Sequence, residues 1–178
     1  MHNEVLKFWF EETTPKQWWI AAPTFDQLIA ERFLNLLTQA AQGELYLWRF
    51  SPLGRLAEII VLDQFSRNIH RNTAAAFAQD RMALVLAQEA VAAGVLAQLS
   101  PLERSFLLLP YMHSESGAIH VIAESLYREH APQSNYEFEL KHKAIIDRFA
   151  RYPHRNAILG RISTDEEIEF LKQPGSRF

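Results

Sequence analysis

The sequence predicts an all-α protein, and three observations carry that prediction. Apolar residues recur with the helical period: positions 25, 28, 29, 32, 33, 36, 37, 40 and 41 form one stripe that is apolar except for Arg32. Helix-start signals recur along the chain, as Thr24 with Gln27, Ser100 with Glu103, Ser134 with Glu137 and Thr164 with Glu167. No stretch sustains strand alternation bounded by hairpin turn residues. The length, 178 residues, suits a single domain spanning 1–178.

Taken in order, the first helix covers 3–12. Residues 13–23, with Pro15, Pro23 and the pair Trp18-Trp19, read as a packed loop. The stripe above places a helix at 24–41, with Gly43 as its stop. Ser51-Pro52 supplies an N-cap and a first-turn proline for a helix at 52–67. The β-branched run Ile59-Ile60-Val61 sits inside that capped window. Ten alanines between 74 and 97 let a helix at 74–93 approach its neighbours closely. Helices at 101–111, 115–130, 135–151 and 164–172 complete the chain. Ser51-Pro52-Leu53 returns as Ser100-Pro101-Leu102 at a spacing of 49 residues, an echo that stacked helical hairpins would produce.

Composition removes several classes of function. There is no cysteine, hence no disulfide, thiolate metal site or cysteine nucleophile. The formal charge of −3 gives no net field for nucleic acid. The six glycines are never closer than 11 residues, so no phosphate-binding loop, dinucleotide fingerprint or nucleophile elbow can be built. The N-terminus lacks a basic, then apolar, leader and no run is long enough to span a bilayer, so a cytoplasmic protein without membrane contact is expected. No cofactor or metal is expected. Glu139-x-x-His142 is a single copy of a motif that helical di-iron sites use twice, and Glu139 reads as part of a solvated face.

Thirteen arginines against five lysines point to recognition by planar forks. Polar chemistry gathers in three clusters. In the first, Asp63 shares a stripe with Leu56, Ile59 and Ile60, with Arg67 one turn on; it is either a bracing ion pair or a carboxylate at a cleft wall. Asp80 lies similarly in an alanine stripe. In the second, His113 and Glu115 follow Pro110 at a corner between helices, where they could act as base and orienter, or merely cap and pack. In the third, Arg148, Arg151, His154, Arg155, Asn156 and Arg161 surround Pro153, a corner able to hold an anion or to stitch two helices together. His142 precedes it on an apolar face with Phe138, Ile145, Ile146 and Phe149.

Three segments, Leu62-Asp63-Gln64-Phe65-x-Arg67-Asn68, Leu109-Pro110-Tyr111-Met112-His113-Ser114-Glu115 and Pro153-His154-Arg155-Asn156-Ala157-Ile158-Leu159-Gly160-Arg161, resemble the signature blocks of a bacterial family, domain of unknown function 924. The opening Val5-Leu6-x-Phe8-Trp9-Phe10 and the ending Ser163-Thr164-x-Glu166-Glu167-x-x-Phe170-Leu171 are similar to that family too. The resemblance implies a tetratricopeptide-like, right-handed superhelical array of antiparallel hairpins, about eight helices in all. It implies no activity. The chain departs from the pattern at Ala150, where the resemblance implies a glycine in a Phe-Gly-Arg corner, and alanine there speaks against a left-handed turn.

The function expected from these residues is binding of an anionic small molecule or an acidic peptide in a groove lined by Arg67, His113, Glu115, His142, Arg148, His154, Arg155, Asn156 and Arg161. The alternatives are a hydrolase with His113 as base and Glu115 or Asp63 as orienter, or a scaffold for a protein partner in which the same residues are internal braces.

Overall fold

A computed structural model describes residues 1–177, and every regular element in it is helical, with no strand among the described residues. Helix α1 (His2–Lys7) runs on through a π-turn at Phe8–Glu12. The stretch expected to be loop contains a short helix, α2 (Pro15–Trp19). It starts on a Thr14–Gln17 capping box, in which the Thr14 amide donates to the Gln17 side chain at 2.9 Å. Next come α3 (Pro23–Ala41) and, after a 3-10 turn at Tyr46–Phe50, α4 (Pro52–Ile60). A π-turn at Val61–Phe65 joins α4 to α5 (Ser66–Ile69). The alanine-rich segment divides into a 3-10 turn (Ala74–Phe77) and α6 (Asp80–Ala92). The remaining helices are α7 (Pro101–Met112), α8 (Gly117–His130), α9 (Gln133–Phe149) and α10 (Asp165–Phe170).

The start signals behave unevenly, for local reasons. Ser51 accepts the Gly54 amide, and Ser100 with Glu103 and Thr164 with Glu167 close complete boxes. Thr24 and Ser134 do not cap. Pro23 takes the first position of α3, with Ala22 before it, and α9 begins at Gln133 after Pro132, so both hydroxyl residues fall inside the first turn. Helix α7 continues through Pro110 to Met112. Gly54 cannot be replaced without disruption: a Cβ there would lie 2.1 Å from the Trp48 carbonyl oxygen.

The main core is built around α4 and its π-turn, against which α1, α3, α6 and α7 pack. Phe8, Phe33 and Phe65 form its aromatic centre, with Phe33 and Phe65 ring centroids 4.7 Å apart, and Trp9 bridges from Phe65 to Phe106. A helix contacted by partners this distant in sequence is more than a nearest-neighbour stack. Helices α7, α8 and α9 follow as packed hairpins, and a second small core of Ile145, Ile146 and Tyr152 lies beyond them. Between the two cores lies the turn that joins α7 to α8, where the polar clusters meet.

Candidate functional site

The three clusters, in which Asp63 and Arg161 stand 98 positions apart, converge on that turn. The π-turn carries Asp63 and Gln64, both buried. Single π-turns recur at functional sites, because the extra residue redirects side chains that a regular helix would aim elsewhere. The Asp63 carboxylate accepts three bonds: Nδ1 of His113 at 2.7 Å, Arg67 at 3.0 Å and Gln64 at 2.6 Å. From α5, Arg67 also reaches the Asp63 carbonyl at 2.8 Å and both oxygens of Asp80 in the first turn of α6, at 2.9 and 3.0 Å. Arg155, in the 3-10 turn Pro153–Arg155, donates to Asp80 and to the His113 carbonyl, each at 3.1 Å. Its guanidinium lies 4.6 Å from the Phe77 ring centre and 4.8 Å from that of Tyr152.

The outer half of the network ties the 150–161 corner to the start of α8. Glu115 accepts both nitrogens of the Arg161 fork, at 2.7 and 2.9 Å, and the Tyr152 amide at 2.7 Å. The Tyr152 hydroxyl donates to the Met112 carbonyl and lies 3.2 Å from His120. His120 in turn meets Glu139 at 2.7 Å and the Ser114 carbonyl at 2.8 Å. His142 donates from Nδ1 to the Phe138 carbonyl at 2.8 Å and packs edge-on against Tyr152. His154 lies over the same ring.

Electrostatics follow from burial and charge. Burial alone would raise Asp63, but Arg67, His113 and the hydrogen bonds of His113 and Gln64 prevail and hold its carboxyl well below the usual range. Burial, then Arg67, lowers His113 and keeps its ring neutral at pH 7. A neutral ring that donates from Nδ1 presents a lone pair on Nε2, which meets no partner among the described residues. The side chain is 16% exposed. Burial raises Glu115, and the bonds from Arg161 and the Tyr152 amide more than reverse this. Burial pushes His142 down to about 3 and His154 to about 4. The network balances: Asp63, Asp80 and Glu115 face Arg67, Arg155 and Arg161 around an uncharged His113. No group of three or more His, Asp or Glu side chains among the described residues is arranged to hold a metal ion.

The structure therefore brings together Asp63, Arg67, His113, Glu115, Arg155 and Arg161, with His142 and His154 joined through the Tyr152 ring. It sets Arg148 apart: that side chain pairs with Glu166 at 2.7 Å and is half exposed. Asn156 is buried, and its amide bonds Ser163 at 3.0 Å within the corner. Glu139 overturns the solvated-face expectation, being 0% exposed. Its position three residues before His142 and seven before Ile146 puts it on the apolar stripe, and the His120 bond makes that burial tolerable. Asp80, Gln64, Tyr152 and His120 belong to the network but not to the expected site. Asp80 carries a sequence signal, an acid within an alanine stripe at a helix start; the others carry none.

A family model described as "Bacterial protein of unknown function (DUF924)" matches residues 5–175. A solved structure, that of the protein of unknown function ATU0120 from Agrobacterium tumefaciens, is similar throughout: 33% identity, 96% of each chain covered and a TM-score of 0.91. No curated protein matches the sequence.

Proposed function

The chain belongs to the DUF924 family of bacterial proteins, and we propose that it performs general-base chemistry on a small molecule at His113, with Asp63 as the orienting residue. The observation that carries this reading is the 2.7 Å bond between His113 Nδ1 and the buried, ionised Asp63. It fixes the tautomer and leaves Nε2 unbonded on a partly exposed ring. In a hydrolysis, Nε2 takes a proton from water as the water oxygen attacks a substrate carbonyl or phosphoryl centre. The same proton then passes to the departing oxygen or nitrogen. Glu115, the other candidate orienter, is engaged by Arg161 and the Tyr152 amide, which leaves the role to Asp63.

One observation favours a second reading, a protein scaffold with an internal brace. Each guanidinium in the network is bonded to a carboxylate of the chain itself, so an anionic ligand would have to open an existing pair. Among the described residues no helix is long and apolar enough to cross a membrane.

The two readings separate on His113→Gln. Wild type and variant are assayed against a panel of activated carboxylic and phosphoric esters, with thermal unfolding measured alongside. The base reading expects turnover that drops at least about 100-fold in the variant while the protein stays folded. Absence of turnover on every ester class, with a variant that is merely less stable, would establish the brace and discard the base.

A further inference from the structure

A separate cleft lies between the C-terminal half of α3, α5 and the 74–79 turn, with a volume of about 210 Å³. We propose that it binds a small, uncharged ring compound carrying a hydrogen-bonding group. This inference is independent of any role for His113.

The sequence explains why the space exists. Ala75 and Ala78 end at Cβ on one wall, opposite Leu34 and Leu37 of α3, so two facing surfaces that could interlock leave a gap. The cleft is open to solvent on one side, and its volume of about 210 Å³ is of the size of one substituted or fused ring lying half-covered in it. Gln42, His70 and Gln79 stand at the cleft, and their side chains have no hydrogen-bond partner among the described residues. An apolar floor with a few convergent polar groups is the usual composition of a small-molecule site. No carboxylate, ammonium or guanidinium lines the cleft, which argues for an uncharged ligand. The contrast with the His113 network, where every fork is already engaged, is what makes this the more receptive place.

The cleft also backs onto that network. Ser66 lines it while the next residue, Arg67, faces Asp63; Gln79 lines it while the next residue, Asp80, pairs Arg67 and Arg155. A ligand seated there rests against the segment that carries both Phe77 and Asp80.

The test uses indole and phenol as probes, titrated into the full chain and followed by backbone and side-chain amide NMR. Saturable shifts confined to Ala75, Ala78 and the Gln42 and Gln79 side chains are expected, with Kd below about 1 mM. Inorganic phosphate, the charged control, should leave those signals unmoved. Ala78→Leu, at an exposed position where the longer side chain fills the gap, should weaken binding at least tenfold, and Ala75→Leu serves if that variant does not fold. Shifts that fail to saturate by about 10 mM, that spread over other surfaces, or that survive both leucine variants overturn the proposal; so does displacement of indole by phosphate.

Discussion

Replacing Asp63 by Asn removes one negative charge and leaves the shape of the network nearly unchanged, so the loss it causes is electrostatic. Asp63 is 1% exposed and holds Arg67 at 3.0 Å and His113 at 2.7 Å. Breaking a buried ion pair costs about 3–5 kcal/mol, and the low end applies because Arg67 keeps Asp80 at 2.9 Å. A loss of about 3 kcal/mol lowers the Tm of a chain this long by roughly 6–12 °C. The pH dependence gives the sharper check. The carboxyl is held below its unfolded value, near 3.9, so its contribution is complete above that value and declines as pH falls toward the folded one. At pH 3 the unfolded chain has mostly protonated Asp63 and the folded chain has not, which removes about 1.3 kcal/mol from the wild type and nothing from the variant. Urea unfolding of both proteins at pH 7 and pH 3 should show the gap narrowing by that amount. A gap below about 1 kcal/mol at pH 7, or one equally wide at pH 3, would refute the electrostatic account.

Two further predictions concern the neighbouring corner. Ala150 ends α9 at φ 55°, a left-handed conformation that strains any residue with a Cβ by about 1–2 kcal/mol. Ala150→Gly removes that strain against a smaller gain in unfolded-chain entropy, so it should raise Tm by about 1–4 °C in a thermal melt, and any decrease would contradict the argument. His142, held down to about 3, stays neutral in the fold while the unfolded chain takes up a proton below about pH 6.5. His142 should therefore withdraw up to about 1.4 kcal/mol of stability per pH unit below 6.5, in addition to what His154 and His113 withdraw, and His142→Leu should lessen the slope between pH 6.5 and 4.5 by about that amount in urea titrations; an unchanged slope would refute the assignment.

The fold was legible wherever periodicity spoke over many residues. The stripe of α3 runs through five turns, and its buried members Phe25, Ile29, Phe33 and Leu37 are the ones the pattern places inside. Ends were less legible, since a capping box is a local pattern and a proline one residue away can pre-empt it, as at Pro23 and Pro132. Ala150 shows tertiary anchorage overriding local preference. The following residues are fixed by Arg151 on Glu167, at 2.6 and 2.7 Å, and by Tyr152 on Glu115 and Met112, so the chain turns left-handed there without the expected glycine.

The site was legible residue by residue but not as a whole, and the missing part changes what it can do. Sequence pattern picked out Asp63, Arg67, His113, Glu115, Arg155 and Arg161 because each breaks a local rule: an acid on an apolar stripe, a histidine at a corner, forks around a proline. It could not pair them. Arg155 meets Asp80 across 75 positions and Arg161 meets Glu115 across 46, separations over which no helical spacing rule carries information. An excess of arginine read alone suggests an anion receptor; the same arginines read with their partners form a neutral lattice around one uncharged imidazole. Such a lattice attracts no anion over distance, yet its fixed dipoles around a single open nitrogen need no reorganisation when a proton moves. The reading proposed above accordingly assigns the chemistry to His113 Nε2 rather than to the forks. Exchanging Arg155 for Lys should accordingly disturb the position of the His113 carbonyl and the stability of the corner, not supply or remove a ligand contact.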